Sequence, residues 1–380
     1  MKKIISILLF SLITNFLIAQ KFQSLIEDNS KDIETYYLAK KNLKNKRNII
    51  KNYQEQKKLI TKFEEALIKL SNTESTKIIN DSIKIILKKD KSIQKLNKSF
   101  EESKKLFELY NSLDGYKKKK IKASNIINKE VTNLKSGSKI KFKYKGINYT
   151  AFILDLTKQD INIALADEEN KKLVTINRAY NYYSKTKKKD VLMICNAGMY
   201  QRDSNPVGLL ISNGKKLKDV TDNSKKISDN YHMYPNGIFY IKNNKASIIE
   251  TEKYITDKKS NESSISQATQ SGPMLVINNE HHKRFNYGSK NLHIRNGVGI
   301  LADERIIFII SNERVNFFDF STVFQDVFGC KNALYLDGAI SKMYIKGDKK
   351  NSMGNGTFGP FIVITDKVKI QKEEVIKINK

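Results

Sequence analysis

Hydrophobic and polar positions change rhythm twice along this chain. Behind Lys2 and Lys3, the stretch Ile4 to Ile18 is almost continuously apolar, broken by Thr14 and Asn15. From Lys21 to Asp114 apolar side chains recur at helical spacing, as in Ile60, Phe63, Leu67 and Leu70, among Lys, Glu and Asn. That spacing predicts helices. After Lys139 the period falls to two: Ile140, Phe142 and Tyr144 alternate with lysines, a Lys145-Gly146 turn follows, and Ile147 to Leu156 predicts the partner strand. Beyond them come short unbroken apolar runs, Val191 to Cys195, Ile306 to Ile310 and Ala333 to Leu336. Such runs predict strands covered on both faces. Each ends in polar residues: Asn196-Ala197-Gly198, Ser311-Asn312 and Asp337-Gly338-Ala339-Ile340-Ser341. Ligands collect at the carboxyl ends of buried strands, so three ends built alike predict one site.

Composition divides the chain along the same lines. Lys21 to Asp114 holds no Gly, Pro, Cys, His or Trp, whereas every Pro, His and Cys lies after residue 190. Gly115 with Lys117 to Lys120, and then Gly137, predict breaks after the helical part. The expected organisation is a signal peptide over residues 1–20, a basic helical segment over 21–137 and a catalytic domain over 138–380. Two lysines, a short apolar core and Ala19 before Gln20 have the layout of a secretory signal cut near that point. The core is too short for a retained membrane span, which makes the expected product exported, periplasmic or extracellular. The fold class expected is α/β, with α+β as the alternative: a mixed β-sheet domain with flanking helices behind an all-helical segment. A chain beginning near Ser136 is expected to fold and to keep its chemistry.

The formal net charge of +29 raises the question of nucleic acid, but only seven of 69 basic residues are Arg. Base-edge readout leans on the bidentate guanidinium, so the lysines predict solvated helix faces, with adhesion to an anionic envelope polymer as the functional alternative and no nucleic-acid partner. Cys195 and Cys330 both fall where a buried small hydrophobe fits, and this is expected over a disulfide. His281 and His282 stand beside a turn at Asn278-Asn279, and no HExxH or CxxC spacing occurs. No metal site and no cofactor is expected. Asp319 and Asp326 read as cap and solvent-face residues of a helix from Ser321 to Phe328. Arg295, among strand-forming neighbours in His293 to Ile300, must find an anion: a structural carboxylate, or the phosphate or carboxylate of a ligand.

Six segments in order carry a more specific signal. They are Asn196-Ala197-Gly198-Met199-Tyr200 with Pro206-Val207-Gly208-Leu209, Pro235-Asn236-Gly237-Ile238-Phe239, Gln270-Ser271-Gly272-Pro273-Met274-Leu275, His293 to Gly299, and Asn332 to Gly338 with Ser341. Together, over roughly residues 138 to 370, they resemble the motif set of the phosphodiester glycosidase family, most closely its bacterial exported members. Where animal members carry Asp-Gly-Gly-Gly-Ser, this chain has Asp337-Gly338-Ala339-Ile340-Ser341, a bulkier loop. The resemblance implies hydrolysis of a sugar-1-phosphodiester, with a sugar phosphate or glycopolymer as substrate. It implies Asp337 as nucleophile or base and Arg295 as phosphate ligand. Asn196, Gly198, Asn236, Gln270, Ser271, Gly272, His293, Asn296, Gly338 and Ser341 would bind substrate. Two alternatives stand beside it: cleavage of the phosphorus–oxygen bond, or binding of a glycan without turnover. Asp203 and Glu313 are further acidic candidates.

Overall fold

The computed structural model describes residues 2–44, 46–70, 91–222, 233–337, 341–348 and 356–367. Three long helices come first: α1 (Lys2–Leu43), α2 (Arg47–Leu70) and α3 (Lys91–Val131). Strands β1 (Lys139–Tyr144), β2 (Ile147–Leu154) and β3 (Gln159–Ala164) follow, then α4 (Ile176–Asn181), β4 (Val191–Asn196), β5 (Leu210–Ser212) and β6 (Lys215–Lys218). Next come β7 (Gly237–Lys242), β8 (Lys245–Glu250), α5 (Thr251–Asn261), β9 (Ile265–Ser271), β10 (Met274–Ile277) and β11 (Glu280–His281). The last elements are β12 (Asn296–Ile300), β13 (Ile306–Ser311), α6 (Phe317–Thr322), β14 (Ala333–Asp337), β15 (Met343–Ile345) and β16 (Phe361–Asp366).

The strands form three sheets: β1-β2-β13-β12-β14-β10-β11, β15-β4-β16-β3 and β6-β5-β9-β7-β8. All pairings within them are antiparallel, so the expected mixture of helix and sheet is realised with antiparallel sheets only. The sheets share a core: Phe152, Val298, Phe308 and Leu334 from the first meet Ile163, Leu192 and Ile362 from the second and Leu210 and Phe239 from the third. The first sheet is covered on its other side too. A Cβ at Gly297 or Gly299 would press on Phe324, and Phe142 of β1 packs on Phe22 of α1 and on Phe328. Two-sided cover is why these strands read as unbroken apolar runs; parallel neighbours are not needed for it.

By contact the chain forms two compact units, residues 1–30 with 124–380, and residues 31–123. The ends of α1 and α3 therefore belong with the sheets. Phe22 and Ile26 are buried, Ser124 donates to Asp326 (3.1 Å), and Arg305 donates to the carbonyls of Val131 (3.1 Å), at the end of α3, and of Leu134 (2.6 Å), just beyond it.

Several expectations change. Gly115 does not break a helix: α3 runs through it from Lys91 to Val131, because a lone helical glycine costs only about 1 kcal/mol against the gain of continuing the ladder. The helix expected from Ser321 begins at Phe317, capped by Asn316, whose side chain accepts from Asp319 N–H at 2.8 Å. Asp326 faces inward, 1% exposed, where it accepts from Ser124. Cys195 and Cys330 are buried free thiols, both pushed up in pKa by burial. Among the described residues no helix is long and apolar enough to cross a membrane, and no group of three His, Cys, Asp or Glu could hold a metal ion.

Candidate active site

Three strand ends meet at the start of β12. Asn296 opens that strand, and its cross-strand partners are Ile310 of β13 and Asp337 of β14. Its Nδ2 donates to both the backbone oxygen (3.1 Å) and the side-chain oxygen (3.2 Å) of Asn196, the last residue of β4. Asn196 Oδ1 also accepts from the Lys342 N–H (2.9 Å), and Ser341 Oγ donates to Asn296 Oδ1 (3.3 Å). Asn196 and Asn296 are fully buried, and Ser341 is nearly so. Buried amides and hydroxyls interlocked in this way hold one another in fixed orientations. Asp337 is placed by its strand register, which shifts between Asn296 and Gly297; Gly338 lies outside the described residues.

A second group of expected residues borders the first. Ser271, ending β9, pairs with Gly237 and donates its Oγ to the Leu336 carbonyl, one residue before Asp337. Gly198 N–H donates to Thr269 Oγ1 (3.1 Å), and a Cβ there would collide with the Gln270 carbonyl, so glycine is needed for this approach. Gln270 itself is engaged by the main chain: Oε1 accepts from Leu209 (3.0 Å) and Thr221 (2.9 Å), and Nε2 donates to the Thr221 carbonyl (2.8 Å). Its side chain holds a loop. Asn236 is fully buried, and neither side-chain atom has a partner among the described residues. A Cβ on Gly272 would collide with its oxygen. Leaving a buried amide unpaired costs about 1–3 kcal/mol, and few buried polar groups in native proteins go without a partner.

Arg295 lies elsewhere. Successive strand residues point to opposite faces, and Arg295 takes the face away from Asn296. Its guanidinium stacks 3.6 Å from the centre of Phe317 and 5.4 Å from that of Tyr335. It donates to the Val315 carbonyl (2.8 Å), to Tyr335 Oη (3.3 Å) and to both oxygens of Asn291 (2.8 and 3.2 Å). The anion predicted for it is not a described carboxylate. Burial holds its pKa below the ordinary guanidinium value, with Tyr335 acting the other way. A cation so held, 2% exposed, projects positive potential over the first residues of β12. His293 is exposed; its backbone bridges Val315 and its side chain adds nothing to the cluster. Asp203 lies in a polar turn with Asn205, and Glu313 accepts from Asn148.

Sequence reasoning missed Thr269, Asn291, Phe317 and Lys342. Asn291 and Lys342 sit in loops with no periodic signal, and Lys342 contributes a backbone N–H that any residue could supply.

Comparison with known proteins bears on residues around this cluster. Residues 189–365 match the model of the phosphodiester glycosidase family. The match spans β4 to β16 and leaves β1 to β3 outside, a shorter range than the motifs suggested. The Escherichia coli protein YigE, itself uncharacterized, is 36% identical over 157 residues, which cover 41% of this chain and 59% of YigE, so the match spans little more than half of that relative. Among solved structures, the zebrafish N-acetylglucosamine-1-phosphodiester alpha-N-acetylglucosaminidase catalytic domain, auto-inhibited by its pro-peptide, is similar at 12% identity. It covers 60% of this chain and 82% of its own, with a TM-score of 0.42. A Burkholderia pseudomallei protein is similar at 9% identity, 65% and 81% coverage and a TM-score of 0.40.

Proposed function

Because residues 189–365 belong to the phosphodiester glycosidase family, we propose that this chain hydrolyses a sugar-1-phosphodiester, breaking the bond between the anomeric carbon and the phosphate oxygen. The observation that carries the reading is the buried lattice of Asn196, Asn296 and Ser341 at the register position of Asp337. A phosphate monoester leaves readily, its second pKa being near 6, so the site needs little acid catalysis on that side. What the reaction does need is a carboxylate beside the developing oxocarbenium-like sugar, acting as nucleophile or as base for water. Asp337 takes that role. The amides and hydroxyl around it supply neutral donors and acceptors for sugar hydroxyls, and Asn236 adds a buried amide with hydrogen-bonding capacity left over. Arg295, turned to the opposite face, favours the phosphate at a distance, through its uncompensated charge.

The amino-terminal pattern of Lys2, Lys3 and an apolar core ending at Ala19 supports export, which puts the substrate in envelope or extracellular glycoconjugates. An anionic polymer of that compartment would also be drawn to the lysines of the helical unit.

Hydrolysis in isotopically labelled water distinguishes the two possible bonds. Label is expected on the anomeric oxygen of the released sugar. Label in the phosphate would replace this reading with phosphodiesterase chemistry, and saturable binding without turnover would replace it with a binding role.

A further inference from the structure

In the unit formed by residues 31–123, Lys and Arg outnumber Asp and Glu by 25 to 12, and Arg47 is the one arginine among them. Three large apolar side chains of this unit are nonetheless well exposed: Leu38 at 48%, Tyr110 at 52% and Ile121 at 45%. They are not scattered. Tyr110 and Ile121 stand eleven residues apart on α3, three turns of a helix to within about 20°, so they share one stripe. Asp114 and Lys117 fall on the same stripe, with Lys118 and Lys122 at its edge.

Leu38 joins it from α1. Tyr37 is buried, and the Lys120 ammonium lies 5.6 Å from the centre of its ring, so these two residues mark where α1 and α3 face each other. The helices are antiparallel: Lys21 pairs with Glu130 and Tyr37 with Lys120, one number rising as the other falls. In an antiparallel pair of right-handed helices, the residue after each interface position emerges on the same side. Those residues are Leu38 and Ile121, and one turn carries each helix on to Lys41 and back to Lys117.

We propose that this face seats the helical unit on an anionic lipid bilayer, aliphatic tips and tyrosine ring among the headgroups and lysines over the lipid phosphates. It goes beyond the proposed hydrolysis and does not depend on it. Exposed leucine, isoleucine and tyrosine ringed by lysine is the pattern of a surface-lying helix, in which apolar burial and attraction to anionic headgroups add. A soluble polyanion would use the lysines but leave Leu38 and Ile121 idle. Nucleic acid would be expected to recruit arginine.

The chain contains no tryptophan, so one indole can be introduced as a local reporter in the full-length protein. I121W and L38W are expected to shift their emission to the blue and to be quenched by brominated lipid when phosphatidylglycerol vesicles are added, but not with phosphatidylcholine alone. K119W, on the opposite side of α3, is expected to do neither. Lys117→Gln with Lys122→Gln should weaken vesicle binding by about fivefold per lysine at low salt, with little difference at high salt. Each variant is compared with its parent by circular dichroism, and these exposed positions should leave helix content unchanged. Equal response at all three tryptophans, or no response at 121 and 38, would overturn the proposal. A response to soluble polyphosphate but not to vesicles would replace the bilayer with a polymer.

Discussion

At the scale of single residues, Arg295 and Asp337 separate what a buried charge does for stability from what it does for chemistry. Arg295 stacks on Phe317 and ties the Asn291 loop to Val315. Arg295→Lys keeps the charge but loses the planar stack and the fork, so its melting temperature should fall by roughly 2–4 °C per kcal/mol lost in a unit of this size, with kcat/KM falling less than in Arg295→Met. Asp337→Asn should lower kcat by about 10²-fold or more with the melting temperature nearly unchanged. Calorimetry beside kinetics checks both, and near-parental turnover in Asp337→Asn would remove that carboxylate from the mechanism. The sequence called for an anion beside Arg295, and no described carboxylate meets it. That aromatic faces and carbonyls would meet it was not legible there, because Phe317, Tyr335 and Val315 reach it from separate elements. Asn236 was singled out by its motif alone; only the packing of Gly272 against it explains why that motif needs a glycine.

At the scale of elements, the buried runs located β4, β13 and β14 correctly, because two-sided cover writes itself into composition. Whether neighbouring strands run parallel does not, and the sheets proved antiparallel. The convergence inferred from three strand ends survives because β12 runs opposite to β14, so its first residue meets the last of β14. One histidine links elements in a pH-dependent way. His282 is buried; its Nε2–H donates to the Tyr234 carbonyl (2.9 Å) and its Nδ1 accepts from Arg284 N–H (3.2 Å), tying the β10–β11 hairpin to the segment entering β7. Burial, with Arg284 nearby, lowers its pKa against the opposing pull of Tyr234. The folded chain therefore resists a proton that the unfolded chain accepts. Its contribution is present in full above the unfolded value of about 6.5 and is lost as pH falls toward the lower folded value. His282→Gln should flatten the decline in melting temperature between pH 7 and pH 5, and identical slopes in the two proteins would exclude the linkage.

At the scale of the whole molecule, the composition change near residue 137 marks where helices give way to strands, whereas the packing unit reaches further back. Phe22 on Phe142 and Phe328, Ser124 on Asp326, and Arg305 on the end of α3 join helix to sheet through contacts that no local pattern announces. A chain beginning at Ser136 would uncover those rings and leave Asp326 without its serine. It should express as an aggregating or low-melting protein. Removing residues 31–123 and joining Ser30 to Ser124 through a short Gly-Ser linker should instead keep both the fold and the kcat on a small soluble substrate; equal melting temperatures for the two shortened chains would refute the difference. The order of the second sheet has a temporal consequence as well. β16, near residue 366, lies between β4 and β3 and hydrogen-bonds to both. Until that strand arrives, β3 has no partner in the sheet and β4 has only β15, and the shared core stays open on one side. Closure of this sheet therefore waits on a strand far along the chain from the two it joins, so β3 and β4 stay apart until the polypeptide has been made through β16.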